Sequence, residues 1–243
     1  MLFLHGLGLT RTGWEPQLRS LADLGRCVAW DMPGYGDSRP LDELTFENLA
    51  DSVVRFLDVI GESRADLVGH SFGGMQAVHT AIRHPDRVRR LVLVSTSPAF
   101  GLDGTDAATW REARLARIDA GESPADIASD VLSAVAGDLD SATLQELAAS
   151  FARIPADGFR AACQLLPSHD VRARLGKVGA ATLVVVGADD VETPVAYAEA
   201  LAAGIPDGRV AVLAGVGHMV AAEAPARFNE LVRAFLDERE TRP

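Results

Sequence analysis

Six short apolar runs alternate with longer segments of helical period, and no other feature restricts the fold of this chain as much. The runs fall at residues 2–4, 27–30, 65–68, 88–94, 183–186 and 210–213. Strands that alternate with helices build βαβ units, and such units build a parallel sheet. The fourth run ends in Leu91-Val92-Leu93-Val94, with no polar residue between. A strand covered by helices on both faces reads this way.

Two helices are plain in the periodicity. Phe46, Leu49, Val53, Phe56, Leu57 and Ile60 share one face, with Thr45 placed to cap the start and Gly61 to end the helix. Pro225 suits a first helical turn, and Phe228, Leu231, Val232, Phe235 and Leu236 follow as a stripe. Residues 237–243 form a charged tail that is expected to fray. The middle of the chain differs. Between the fourth and fifth runs the text is Ala-rich and favours helix at 107–120, 124–136, 141–152 and 156–166. The expected organisation is an α/β core from residues 1–97 and 171–243, split by an all-helical insertion at 98–170.

The chain has 243 residues, enough for a substantial core without metal or disulfides. Its formal net charge of −11 argues against nucleic acid or an anionic membrane as the partner. Cys27 and Cys163 form no disulfide framework. No run of about 18 apolar residues is present to span a membrane, and no basic leader precedes an apolar stretch. A cytoplasmic protein is expected.

The run at 65–68 leads into Gly69-His70-Ser71-Phe72-Gly73-Gly74, and a helical pattern begins at Met75. Strand, G-x-S-x-G, helix is the arrangement of a nucleophile held at a sharp turn. Glycines on both flanks avoid side-chain clashes, and the N–H of Phe72, at a helix N-terminus, can donate to an oxyanion. A serine nucleophile needs a base and an acid behind it. His79 and His84 lie on or past the helix that runs away from Ser71, His169 lies where the insertion rejoins the core, and His70 is expected to point elsewhere because adjacent side chains diverge. His5 belongs to the loop after the first strand. His218 lies after the last strand, where carboxyl-end loops build a site. Asp189 and Asp190 both follow the fifth strand, and position alone does not choose between them.

Together these residues resemble the α/β-hydrolase superfamily. The matching text is His5-Gly6-Leu7-Gly8, Asp31-x-Pro-Gly-x-Gly-x-Ser38, Gly69-His-Ser71-Phe-Gly73-Gly, Gly187-x-x-Asp190-x-x-x-Pro194 and Gly217-His218, in the family's order over nearly the whole chain. The resemblance implies a Ser71, Asp190, His218 triad, selects Asp190 over Asp189, and places the N–H groups of Leu7 and Phe72 in the oxyanion hole. It implies no metal and no organic cofactor, and it makes the insertion a helical cap. It also implies an open, mainly parallel sheet of about six strands that lacks the family's first two. Residues 27–30, from Cys27 to Trp30, would then form an exposed edge, a route to a homodimer.

Within the superfamily the chain is similar to 3-oxoadipate enol-lactonases, at Trp110-Arg-Glu-Ala-Arg114, 155–163 and 182–213. It departs from them at His5-Gly6, where they often carry His-Ser, and at His70, where they often carry Leu. Both departures are more like general carboxylesterases. The expected function is a serine hydrolase acting on a small-molecule carboxylic ester or lactone, with Trp110, Arg111 and Arg114 of the cap against the acyl group. An arginine there would suit a carboxylate-bearing substrate. The resemblance also leaves open carbon–carbon bond hydrolysis, cofactor-free haloperoxidase chemistry and acyl transfer. A non-catalytic protein that binds a small ligand is the alternative of a different class.

Overall fold

The computed structural model describes residues 1–238; of the tail expected to fray, residues 239–243 lie outside the described residues. Six strands form one sheet: β1 (Leu2–Leu4), β2 (Val28–Ala29), β3 (Ala65–His70), β4 (Val88–Val94), β5 (Ala181–Gly187) and β6 (Gly208–Leu213). Their order is β2-β1-β3-β4-β5-β6, and every neighbouring pair is parallel. The helices are α1 (Glu15–Ser20), α2 (Phe46–Val59), α3 (Phe72–Arg83), α4 (Ala107–Asp119), α5 (Pro124–Val135), α6 (Ser141–Phe151), α7 (Ala156–Leu165), α8 (Val195–Gly204), α9 (Val220–Glu223) and α10 (Pro225–Asp237).

Alternation along the strands explains both layers. Leu91 and Leu93 of β4 join Val184 and Val186 of β5 and Leu2 and Leu4 of β1 in one cluster, which packs on Leu49 and Val53 of α2, Val78 of α3 and Leu201 of α8. The intervening Phe3, Val92, Val94 and Val185 face the opposite way, onto Trp14 and onto Phe228, Val232 and Phe235 of α10. Successive side chains of a strand point to opposite faces, so a strand sandwiched between helices needs apolar residues at consecutive positions.

Local signals end the elements. Thr45 Oγ1 accepts the N–H of Asn48 at 3.0 Å and caps α2, and Gly61 follows its end at φ 77°. Asp106 caps α4 by accepting the N–H groups of Ala108 and Thr109. Two boundaries differ from the sequence expectation. Helix α3 starts at Phe72 rather than Met75, because Gly73 and Gly74 hide its first turn from propensity. Strand β2 keeps only two of its four expected residues, and so short an edge offers few free ladder groups to another chain.

Helices α4 to α7 all lie between β4 and β5. Where the chain leaves and rejoins the sheet, Ala99 and Asp170 form an antiparallel bridge. Phe100 N–H donates to His169 O at 2.9 Å and Val171 N–H to Pro98 O at 2.8 Å. Among the described residues, no helix is long and apolar enough to cross a membrane.

Candidate active site

Ser71 stands between β3 and α3 with φ 52° and ψ −116°, one of two non-glycine residues at positive φ among those described. Such a conformation is costly for a residue with a side chain and persists only where its surroundings impose it. Here the turn is gripped on both sides. Ser71 N–H donates to Val94 O at 2.8 Å, while its carbonyl accepts Thr96 Oγ1–H at 2.8 Å and the N–H groups of Gly74 and Met75 at 2.9 and 3.1 Å. The flanking glycines are sterically required. A Cβ on Gly69 would overlap the carbonyl of Gly73, and a Cβ on Gly73 would overlap the carbonyl of Leu4. Phe72 is the first residue of α3, so its N–H is one of the donors that the helix cannot satisfy internally.

The loop after β1 approaches from the side. A Cβ on Gly6 would lie 3.3 Å from Ser71 Cβ and 2.7 Å from His70 Nδ1. His5 fixes this loop: its Nε2 accepts Met32 N–H at 3.1 Å and its Nδ1–H donates to Gly6 O at 2.9 Å. Burial pulls the His5 imidazole down to about 4, so the neutral ring that this pattern needs is the stable form. Tyr35 Oη–H donates to Leu7 O at 3.0 Å.

His218 and Asp190 meet at the far side. His218 Nδ1–H lies 3.0 Å from both carboxylate oxygens of Asp190, in a pair with almost no exposure. Asp190 also accepts the N–H groups of Glu192 and Thr193, at 3.0 and 2.8 Å, and Thr193 Oγ1–H at 2.8 Å. Burial by itself would raise the Asp190 carboxyl. The hydrogen bonds and charge of His218, with the two donors of Thr193, outweigh it and bring the carboxyl down to about 2. Asp189 is exposed, so the two acids that sequence position left open differ sharply in surroundings.

The other three buried histidines fall into two groups. His79 Nε2–H donates to His169 Nδ1 at 3.2 Å, and His169 Nε2–H donates to Ser97 O at 2.8 Å. Burial lowers the two rings to about 3 and about 4. This chain ties α3 to the root of the insertion. His70 does not point away from the site as adjacency suggested. Its ring centroid is 5.0 Å from that of His218, and its Nε2–H donates to His218 O at 3.1 Å. At positive φ Ser71 leaves the strand direction while His70 still follows it, so the two side chains stay at the same end of the sheet.

Ser71, His218 and Leu7 border one cavity of about 360 Å³ under α4 to α7. Its wall is mainly apolar, with Met75, Trp110, Ile127, Phe151, Phe159 and Met219 among the contributors. Of the three insertion residues singled out in the sequence, Trp110 and Arg114 line this cavity. Arg111 does not: it lies one residue past Trp110, and a helix turns by about 100° per residue. Arg114 is engaged by Glu192, with one guanidinium nitrogen 2.7 and 2.6 Å from the two carboxylate oxygens, and its guanidinium carbon sits 5.5 Å from the Trp110 ring centre. Arg117, also at the cavity, is held by Glu122 and by Asp130. A larger cavity of about 570 Å³ opens at the amino ends of the strands, bordered by Met1, Arg26, Arg64 and Arg90. It is remote from all of these groups. Among the described residues, no cluster of His, Cys, Asp or Glu could hold a metal ion.

The family model of the alpha/beta hydrolase family matches residues 1–231. A protein named carbamate hydrolase RutD from Variovorax paradoxus is 32% identical over 97% of this chain and 91% of its own length. Among solved structures, a thermophilic esterase from Thermogutta terrifontis superposes with a TM-score of 0.86 at 27% identity, covering 97% of this chain and 88% of that one. The enol-lactonase from Burkholderia xenovorans LB400 superposes with a TM-score of 0.80 at 25% identity, covering 98% and 90%. A strained serine between strand and helix, a buried histidine–aspartate pair and a family match over nearly the whole chain lead to one assignment: this chain belongs to the alpha/beta hydrolase family.

Proposed function

We propose that the protein is a serine hydrolase that cleaves a small, uncharged carboxylic ester or lactone through an acyl-enzyme. The observation that carries this reading is the His218–Asp190 pair, buried at 3.0 Å beside the cavity that Ser71 borders. In the first step Ser71 Oγ bonds to the carbonyl carbon while its proton passes to His218 Nε2. Asp190 holds Nδ1–H and stabilises the imidazolium. The N–H groups of Leu7 and Phe72 receive the oxyanion. The carbon–oxygen bond of the ester then breaks, and the leaving alkoxide takes the proton from His218. Water repeats the sequence on the acyl-enzyme and releases the acid. No metal or organic cofactor has a role. Residues 98–170 serve as a cap that shapes the acyl pocket, with Trp110 and Arg114 in its wall.

The preference for an uncharged substrate rests on two features. The wall is mainly apolar, and the two arginines that border it are both engaged by carboxylates. A 3-oxoadipate enol-lactone-like substrate would carry a carboxylate, and Arg114 would have to leave Glu192 to receive it. For that reason the general ester reading stands ahead of the enol-lactone one. Carbon–carbon bond hydrolysis and haloperoxidase chemistry would use the same three side chains and differ in substrate.

The test is hydrolysis of p-nitrophenyl acetate and butyrate by the wild type and by Ser71→Ala, with mass spectrometry after an organofluorophosphonate. The expected result is turnover by the wild type, its loss in the variant, and a single adduct on Ser71. A wild type that neither turns over nor labels would make the protein a small-ligand binder instead.

A further inference from the structure

The loop that carries Leu7 is anchored at both ends, and the two anchors belong to different parts of the molecule. On the core side stand the His5 contacts with Met32 and Gly6 and the Tyr35 hydroxyl on Leu7 O. On the other side stands α6. Thr10 N–H donates to Ser150 Oγ at 3.0 Å, the two hydroxyls are 3.0 Å apart, and Thr10 Oγ1–H reaches Ser150 O at 3.3 Å. Thr10 and Ser150 are fully buried. The next residue of α6, Phe151, closes over the same loop: a Cβ on Gly8 would lie 2.7 Å from Phe151 Cε2. Leu7 therefore sits between an anchor in the loops of the core and an anchor in the inserted helices.

We propose that Ser150 is a positioning residue for the oxyanion hole, fixing the Leu7 N–H from the inserted helices through Thr10. The inference rests on the serine-hydrolase reading above. Its physical basis is the short span of the loop. Only Gly8 and Leu9 separate Leu7 from Thr10, so a shift of Thr10 reaches Leu7 with little slack. Ser150 is a hydroxyl that both accepts from a main-chain N–H and meets a second hydroxyl. Deleting it leaves a buried donor without its partner, and the loop can answer only by moving. Displacement by about 1 Å of a group that meets the transition state costs up to about 100-fold in rate. Ground-state binding depends mainly on the apolar wall, which Ser150 does not form.

This separates a positioning role from a structural one. In Ser150→Ala, kcat per active site should fall about 10- to 100-fold while KM stays within twofold. Affinity for an alkyl trifluoromethyl ketone should fall by the same factor as kcat. In that adduct Ser71 Oγ bonds to the ketone carbon, its proton moves to His218, and the resulting oxyanion occupies the hole. Thr10→Ser keeps the N–H and the hydroxyl and should retain most of both kcat and ketone affinity. The experiment counts active sites by fluorophosphonate titration, then measures kcat, KM and ketone affinity for the wild type and both variants. A Ser150→Ala enzyme whose kcat per titrated site and ketone affinity match the wild type overturns this inference alone. A loss confined to KM or to the number of titratable sites does the same, since packing then explains it. A wild type that neither titrates nor binds the ketone overturns the serine-hydrolase reading, and this inference with it.

Discussion

His218 N–H donates to the carbonyl of Val135 at 3.2 Å, so the backbone of the proposed base is held by the last residue of α5. Its own carbonyl accepts from His70 Nε2–H. The Glu223 carboxylate takes the N–H groups of Gly217 and Met219, at 2.6 and 2.9 Å. The main chain is thus fixed before and after His218, and the side chain has only to reach Asp190.

Glu223→Gln should loosen that grip, because an amide can offer only one oxygen to two N–H donors. Losing a hydrogen bond to a charged acceptor costs about 1.5–3 kcal/mol. Part of this should appear as a lower melting temperature. The rest should appear as a kcat about 10-fold lower with KM nearly unchanged, read by steady-state hydrolysis of a p-nitrophenyl ester.

Acid should destabilise the protein in two stages. Burial lowers His5 and His169 to about 4 and His70 and His79 to about 3, against 6.5 for an unconstrained imidazole. The folded chain then binds fewer protons than the unfolded one once the pH drops below about 6.5. The stability linked to these rings is complete above that value and is lost as the pH falls through about 4 to 3. Asp190, lowered from 3.8 to about 2, adds a second loss between those values. Each extra proton bound by the unfolded chain steepens the decline by about 1.4 kcal/mol per pH unit. Urea titrations at pH 8, 7, 6 and 5 should give a plateau and then a steep fall. A flat profile from 7 to 5 would contradict the buried neutral rings.

Two glycine-to-alanine substitutions should behave oppositely. In Gly73→Ala the new Cβ collides with the Leu4 carbonyl, and backbone atoms cannot give way as a side-chain tip does. A loss of about 3 kcal/mol or more is expected, with loss of labelling at Ser71. Gly176 has open space around its would-be Cβ. Gly176→Ala should be neutral or stabilising by about 0.5 kcal/mol, through the lower entropy of the unfolded chain. Thermal melts of the two variants make the comparison.

Substrate charge preference should change with one carboxylate. Glu192→Gln removes the charge that engages Arg114 and leaves the arginine at the cavity wall. The ratio of kcat/KM for a succinate half-ester over a neutral ester of equal length should rise about 10-fold, or about 1.4 kcal/mol. An unchanged ratio would show that Arg114 does not face the bound acyl group.

The parts of this fold that were legible in the sequence are those with local signatures. Leu91 to Val94 reads as a doubly covered strand because consecutive apolar residues need two apolar faces. Thr45 and Pro225 mark helix ends by their own chemistry. Ser71 is legible because its turn demands glycine on both sides. What stayed hidden depends on pairs far apart in the chain. Thr10 with Ser150, Arg114 with Glu192 and Val135 with His218 join residue types that are common everywhere, and nothing within a few positions of either partner announces the other. His70 was misplaced for a related reason, since the direction of a side chain at the end of a strand depends on the strained turn that follows it.

The bridge between Ala99 and Asp170 brings the two ends of the insertion side by side on the sheet. A segment whose ends are already pinned can change length cheaply, because the entropy of closing a loop grows only with the logarithm of its size, about 0.6 kcal/mol for each doubling. The core can therefore tolerate wide variation in what is carried between β4 and β5. Tolerance of that kind separates the evolution of substrate range from the evolution of stability: the pocket roof can be rebuilt by insertion and deletion while the sheet beneath it is left as it was.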